Sequence, residues 1–153
     1  MKKHIFTLSF LLALSPFLAI AGHNDGLITK PSRYSVSQTL DKLEAALKTK
    51  GISVAMRWQH DVKAGAVGIA LRPTELLVFG NPKIGSHLFT SNQTAGIDLP
   101  LKALAWEDKN GKVFLSYNDP AYIAKRHHIN DRDETLKKMS TALNKLSDIA
   151  TGN

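Results

Sequence analysis

The pair Asn110-Gly111 stands between two apolar runs, Leu101 to Glu107 and Val113 to Tyr117. Asn-Gly accepts the left-handed backbone that a tight reversal needs, so the two runs are expected to pair as an antiparallel hairpin. A wholly parallel sheet is thereby excluded. The C-terminal segment supplies the complementary element: Leu136, Met139, Leu143, Leu146 and Ala150 recur at alternating spacings of three and four, while Lys137, Lys138 and Lys145 lie off that line. This is the pattern of an amphipathic helix whose stripe covers a sheet or a partner subunit. Asp131, with Glu134 three residues later, reads as a capping-box-like start.

The rest of the chain alternates between the same two periodicities. Arg33 to Val36 is expected to open a first strand. Ser37 is read as the N-cap of a helix running to Lys50, with Leu40, Leu43, Ala46 and Leu47 on one face. Gly51 ends it. Ile52, Val54, Met56 and Trp58 alternate with Ser53, Ala55, Arg57 and Gln59, the period of a half-buried strand. A short helix is expected from about Asp61 through Ala64 to Ala70. Glu75 to Phe79 reads as a buried strand, and Asn81-Pro82 as a cap with proline in the first turn of a helix to about Ser91. Asp119-Pro120 ends the last strand. The order is roughly β-α-β-α-β-α-β-β-α, an α+β domain with a mostly antiparallel sheet and helices packed on one face.

Before that domain, Met1-Lys2-Lys3 precedes an apolar run from Ile5 to Ile20 that closes on Ala19-Ile20-Ala21. A basic start, a short apolar stretch and a small-x-small ending are the marks of a signal peptide, residues 1–21, with cleavage expected after Ala21. The competing reading is an uncleaved N-terminal anchor. Residues 22–32 are expected to be a flexible lead-in and 33–153 a single domain, periplasmic or secreted. Nothing else in the sequence is long and apolar enough for a membrane span. The chain holds no cysteine, which excludes disulfides, a thiol nucleophile and Cys-ligated metal. With 43% hydrophobic residues, an apolar core is left as the source of stability.

Tyr34-Ser35-Val36, Thr39, Leu47, Gly51, His60, Ala64, Gly68, Leu71, Arg72-Pro73-Thr74, Phe79-Gly80-Asn81-Pro82, Gly85 and Leu99-Pro100-Leu101 form an ordered series. With Tyr117-Asn118-Asp119-Pro120 it resembles the bacterial family called domain of unknown function 302, over about residues 33–130. The resemblance implies a compact fold similar to that of the TATA-box-binding protein, and a homodimer. It implies neither DNA binding nor any catalytic residue.

Four residues are the candidate ligand-binding set: His60, Asn81, Lys83 and Tyr117. His60, at a strand end beside Asp61, has a side chain that titrates near neutrality, the property of an acid-base group, although capping a turn explains it as well. Gly80-Asn81-Pro82-Lys83 opens a helix N-terminus with a lysine beside it, suited to a small anion, but it lacks the Lys-Ser/Thr ending of a nucleotide-binding loop. A tight strand-to-helix turn is the plain alternative. For metal, the set is His23, His60, His87 and His127, to which Cu or Zn would be suited, yet no pair has helical ligand spacing. The basic run Lys125-Arg126-His127-His128 with Arg132, Lys137 and Lys138 lacks the interleaved aromatics of single-strand binding, and an exported chain does not meet nucleic acid. The expectation is therefore a non-enzymatic periplasmic domain. It binds a small molecule or a periplasmic protein where His60, Asn81-Pro82-Lys83 and Tyr117 converge. A metal-handling protein stands second, and a hydrolase or isomerase with His60 as base stands third.

Overall fold

A computed structural model describes residues 26–153. The signal peptide, and His23 with it, fall outside the described residues. The strands are β1 (Leu27–Ser32), β2 (Ser53–Gln59), β3 (Thr74–Gly80), β4 (Leu101–Glu107) and β5 (Val113–Asn118). The helices are α1 (Val36–Thr49), α2 (His60–Gly65), α3 (Pro82–Ser91), α4 (Pro120–Arg126) and α5 (Asp133–Thr151). A 3-10 turn, Gln93–Ile97, follows α3. The strands form one antiparallel sheet in the order β1-β5-β4-β3-β2.

The α+β class, the antiparallel sheet and the 107–113 hairpin are as the sequence reads. Four local expectations are corrected. The first strand is not Arg33 to Val36: it lies in the segment read as a lead-in, where β1 pairs with β5 from Leu27↔Asn118 to Ser32↔Val113. Pro31 is tolerated because β1 is an edge strand, with one side free of ladder bonds. Helix α1 is capped by Ser35, not Ser37: Ser35 Oγ accepts from the Gln38 N–H and Gln38 Oε1 from the Ser35 N–H, a full capping box. The helix after β2 begins at His60 and ends at Gly65, short of Ala70. Helix α5 has no side-chain cap at its start. Asp131 instead accepts from the Ser91 hydroxyl and the Arg132 guanidinium.

One sheet face is packed under α1 and α5. Leu40 and Leu47 of α1 are fully buried against Leu77, Phe79, Ala103 and Leu115, and Leu143, Leu146 and Ala150 of α5 close the same cluster. Burial of each large aliphatic side chain stabilises by about 1.5–3 kcal/mol. The α5 stripe thus covers its own sheet, not a partner. A second, smaller cluster joins Leu88, Ala95, Leu99, Ala124, Ile129 and Met139, so that α5 bridges both.

The other sheet face has a different character. A register shift between Val54 and Met56 turns the strand over, so Arg57 opposes Leu77 on the packed face while Met56 and Trp58 oppose Val78 and Leu76 on the open one. The expectation that Val54, Met56 and Trp58 share one buried face therefore fails at the bulge.

Candidate functional site

A groove lies between the two core clusters. Its floor forms where β2 begins and β3 ends, because Ser53 pairs with Gly80 there. The next residue, Asn81, caps α3: its Oδ1 accepts the Lys83 N–H at 3.0 Å, and Pro82 follows in the first turn, where no N–H is missed. Gly80 lets a neighbouring turn come close, since a Cβ there would stand 3.3 Å from Pro100 Cβ. Helix α5 forms the facing wall with Met139, Ala142, Leu143 and Leu146. The groove, open to solvent along one side, has a volume of about 520 Å³, within the range of small-molecule sites. Ile52, Phe79, Ile84, Phe89 and Leu101 complete an apolar lining, and only Ser53, Asn81, Ser86 and Lys138 add polar side chains.

Of the four residues expected to bind ligand, the structure places one in this groove, Asn81. Lys83 is exposed and does not line it. Tyr117 is buried on β5 under α5, its hydroxyl oxygen accepting from Ser147 Oγ at 3.4 Å. His60 follows Gln59, which pairs with Glu75, so it lies at the opposite end of the β2–β3 ladder from Gly80. About six strand steps of about 3.3 Å put roughly 20 Å between His60 and Asn81, too far for one small ligand to span. The mouth expected from these two residues does not form, because strand ends joined by an antiparallel ladder point opposite ways.

The histidines are also dispersed. No hydrogen bond joins His60 to Asp61, whose Oδ1 is buried without a hydrogen-bond partner. His87 is exposed on α3. His127 is buried with both ring nitrogens engaged, Nδ1 with Thr94 Oγ1 at 2.9 Å and Nε2 with Asp98 Oδ2 at 2.6 Å. Arg126 reaches the other Asp98 oxygen at 3.3 Å. This network ties the end of α4 to the 3-10 turn and withdraws His127 from any ligand. Among the described residues, no group of three or more His, Asp or Glu is placed to hold a metal ion.

Three α5 residues of the groove, Met139, Leu143 and Leu146, belong to the stripe named from sequence, while Lys138 and Ala142, four residues apart beside that stripe, carry no signal of a groove. The pairing of Asp98 with His127 had no local signal, since 29 residues separate the partners.

A family profile described as Domain of unknown function DUF302 matches residues 28–146. The crystal structure of an uncharacterized conserved protein DUF302 from Bacillus stearothermophilus superposes with a TM-score of 0.75. It is 20% identical and covers 82% of this chain and 98% of its own. Among curated proteins, the Fluoride-specific ion channel FluC 1 of Brucella suis is 42% identical over 130 residues, 84% of this chain and 51% of its own length. The protein of the same name from Brucella abortus matches at 42% over 130 residues and 48% of its length. The chain thus spans about half the length of these relatives.

Proposed function

This chain belongs to the DUF302 family, and we propose that it is a binding domain whose groove between β2–β3, α3 and α5 takes a small apolar molecule. The observation that carries this reading is the groove itself: about 520 Å³ of space with an almost wholly apolar lining. Apolar surface left in contact with water is costly, and an apolar ligand relieves that cost. No titratable partner hydrogen-bonds His60 among the described residues, so acid-base chemistry there lacks support. The signal-like N-terminus supports a periplasmic or secreted location. The fluoride-channel name of the Brucella relatives is not carried over. Half of their length is unmatched, and no helix among the described residues is long and apolar enough to cross a membrane.

Native mass spectrometry of gently purified protein tests this reading, alongside uptake of the apolar dye N-phenylnaphthylamine. A discrete added mass or dye uptake is expected, and Ala142→Trp, which fills the groove, abolishes either. A clean mass together with no dye uptake overturns the proposal.

A second reading rests on the open sheet face, which carries Met56, Trp58, Leu76, Val78, Leu104, Trp106 and Phe114. Met56 and Trp58 are 43% and 41% exposed. Lys102, on the same face, folds its ammonium back onto the carbonyls of Asp98 and Pro100. The Lys63 ammonium lies 5.2 Å from the Trp58 ring centroid at the edge of the patch, and, Lys102 aside, the rest of the named residues are apolar. Such a patch suits the centre of a protein interface, and a second copy of the chain matches its chemistry. A dimer in light scattering that dissociates in Trp58→Glu is expected. A monomer at every concentration contradicts it.

A further inference from the structure

The groove is apolar along its length but not symmetric from end to end. Its α5 wall runs from Lys138 to Leu146, eight residues or about 12 Å at the helical rise. At the Leu146 end the lining belongs to the larger core cluster, with Leu143, Phe79 and Ile52. At the other end it belongs to the smaller cluster, with Met139, Ile84 and Phe89. Lys138 stands at that second end, and it is the only charged side chain among the lining residues. Among the described residues, no carboxylate lines the groove. The partner of Lys138 is Glu134 on the same helix at 4.0 Å, and the two side chains are 73% and 93% exposed. Such a solvated pair is worth little and leaves the ammonium open to another anion. The lysine stem borders apolar lining while its head stays in water, the usual way this side chain frames the mouth of an apolar site.

An open apolar groove bordered by one cation at one end has the polarity of a particular kind of molecule. We infer that the ligand of this groove is a single-chain amphiphile with an anionic head, its chain lying along α5 toward Leu146 and its head beside Lys138. This inference rests on the reading of the groove as an apolar binding site and adds the ligand's class and direction. A cationic amphiphile meets a repulsive head contact. A neutral one gains nothing from the Lys138 charge. Ser86 and Asn81, whose Oδ1 is committed to the α3 cap, are further donor-bearing residues of the lining.

The test is isothermal titration calorimetry with decanoate, decanol and decyltrimethylammonium, each below its aggregation limit and at low salt. Decanoate is expected to bind at least about tenfold more tightly than decanol, with decyltrimethylammonium weakest. Dodecanoate is expected to bind more tightly again, by about fourfold per added methylene. Lys138→Gln, a change at an exposed position that leaves folding intact, brings decanoate to the level of decanol and leaves decanol unchanged. If decanoate binds no better than decanol, or is indifferent to Lys138→Gln, the anionic class is overturned while the apolar groove stands. If no probe binds, or binding is untouched by Ala142→Trp, both readings fall.

Discussion

Arg57 is the residue at which a one-position shift matters most. The bulge in β2 turns it onto the packed sheet face, where Nε donates to Glu75 Oε2 at 2.7 Å and Nη1 to Asp41 Oδ1 at 2.5 Å. Burial disfavours the guanidinium charge, but the bonds to Asp41 and Glu75 outweigh it and hold its pKa above the ordinary value. Glu75 is buried to 5% exposure and depends on this partner. Arg57→Met is expected to cost about 3 kcal/mol in urea unfolding, and Arg57→Met with Glu75→Leu to recover most of it, since an unpaired buried carboxylate is the larger penalty. A double variant as unstable as the single contradicts that account. A plain period-two reading hides this residue, because a bulge leaves no mark in the alternation until the strand pairing is known.

A second titratable residue sets the hairpin turn. The Lys112 N–H donates to Asp108 and holds its carboxyl below the ordinary value of 3.8, a little desolvation opposing and Asn110 assisting. A depressed carboxylate stabilises above its unfolded value and loses that contribution as pH falls through its folded value. The stability difference between the native chain and Asp108→Ala is therefore expected to shrink below about pH 4 in thermal melts. A difference that does not change with pH contradicts the turn's dependence on the ionised carboxyl.

At the scale of elements, capping decides where the sequence is readable. Asn81-Pro82 marks the start of α3, with Asn81 as cap, and the same logic at Asp119-Pro120 starts α4, where the Asp119 side chain accepts from the Ala121 N–H. That second pair marks both the end of β5 and the start of α4, and the strand end alone is evident from sequence. For α1, two serines compete by sequence, and the geometry chooses Ser35 because its partner three residues on is Gln38. Ser37 instead accepts from the Arg57 guanidinium with its hydroxyl oxygen at 3.0 Å. Ser35→Ala is expected to lower stability by about 1 kcal/mol and Ser37→Ala by less, as read by denaturant midpoints. The reverse order contradicts the cap assignment. The acidic pair Asp131 and Glu134 shows the limit of such patterns: a tertiary bond to Ser91 takes the side chain that local spacing offered to α5.

At the scale of the molecule, the fold was legible because periodicity and turn chemistry agree along most of the chain. Of the candidate groove, one residue named from sequence as ligand-binding, Asn81, lies in the lining. Its other members, such as Phe89, Leu101, Lys138 and Leu146, are brought together by sheet order and by the docking of α5, neither of which a linear pattern specifies. His60 lies away from Asn81 for the same reason: Gln59 and Ser53 mark opposite ends of one ladder. The described residues present a groove on the helical side and an open apolar sheet face, and the small-molecule role proposed above belongs to the groove. The most direct test is amide-shift mapping by NMR during titration with decanol. Shifts gathered at Ser53, Gly80, Gly85, Ala142 and Leu143 are expected. Silence at those amides, with shifts at Met56, Trp58, Leu76 and Leu104 instead, would contradict that role.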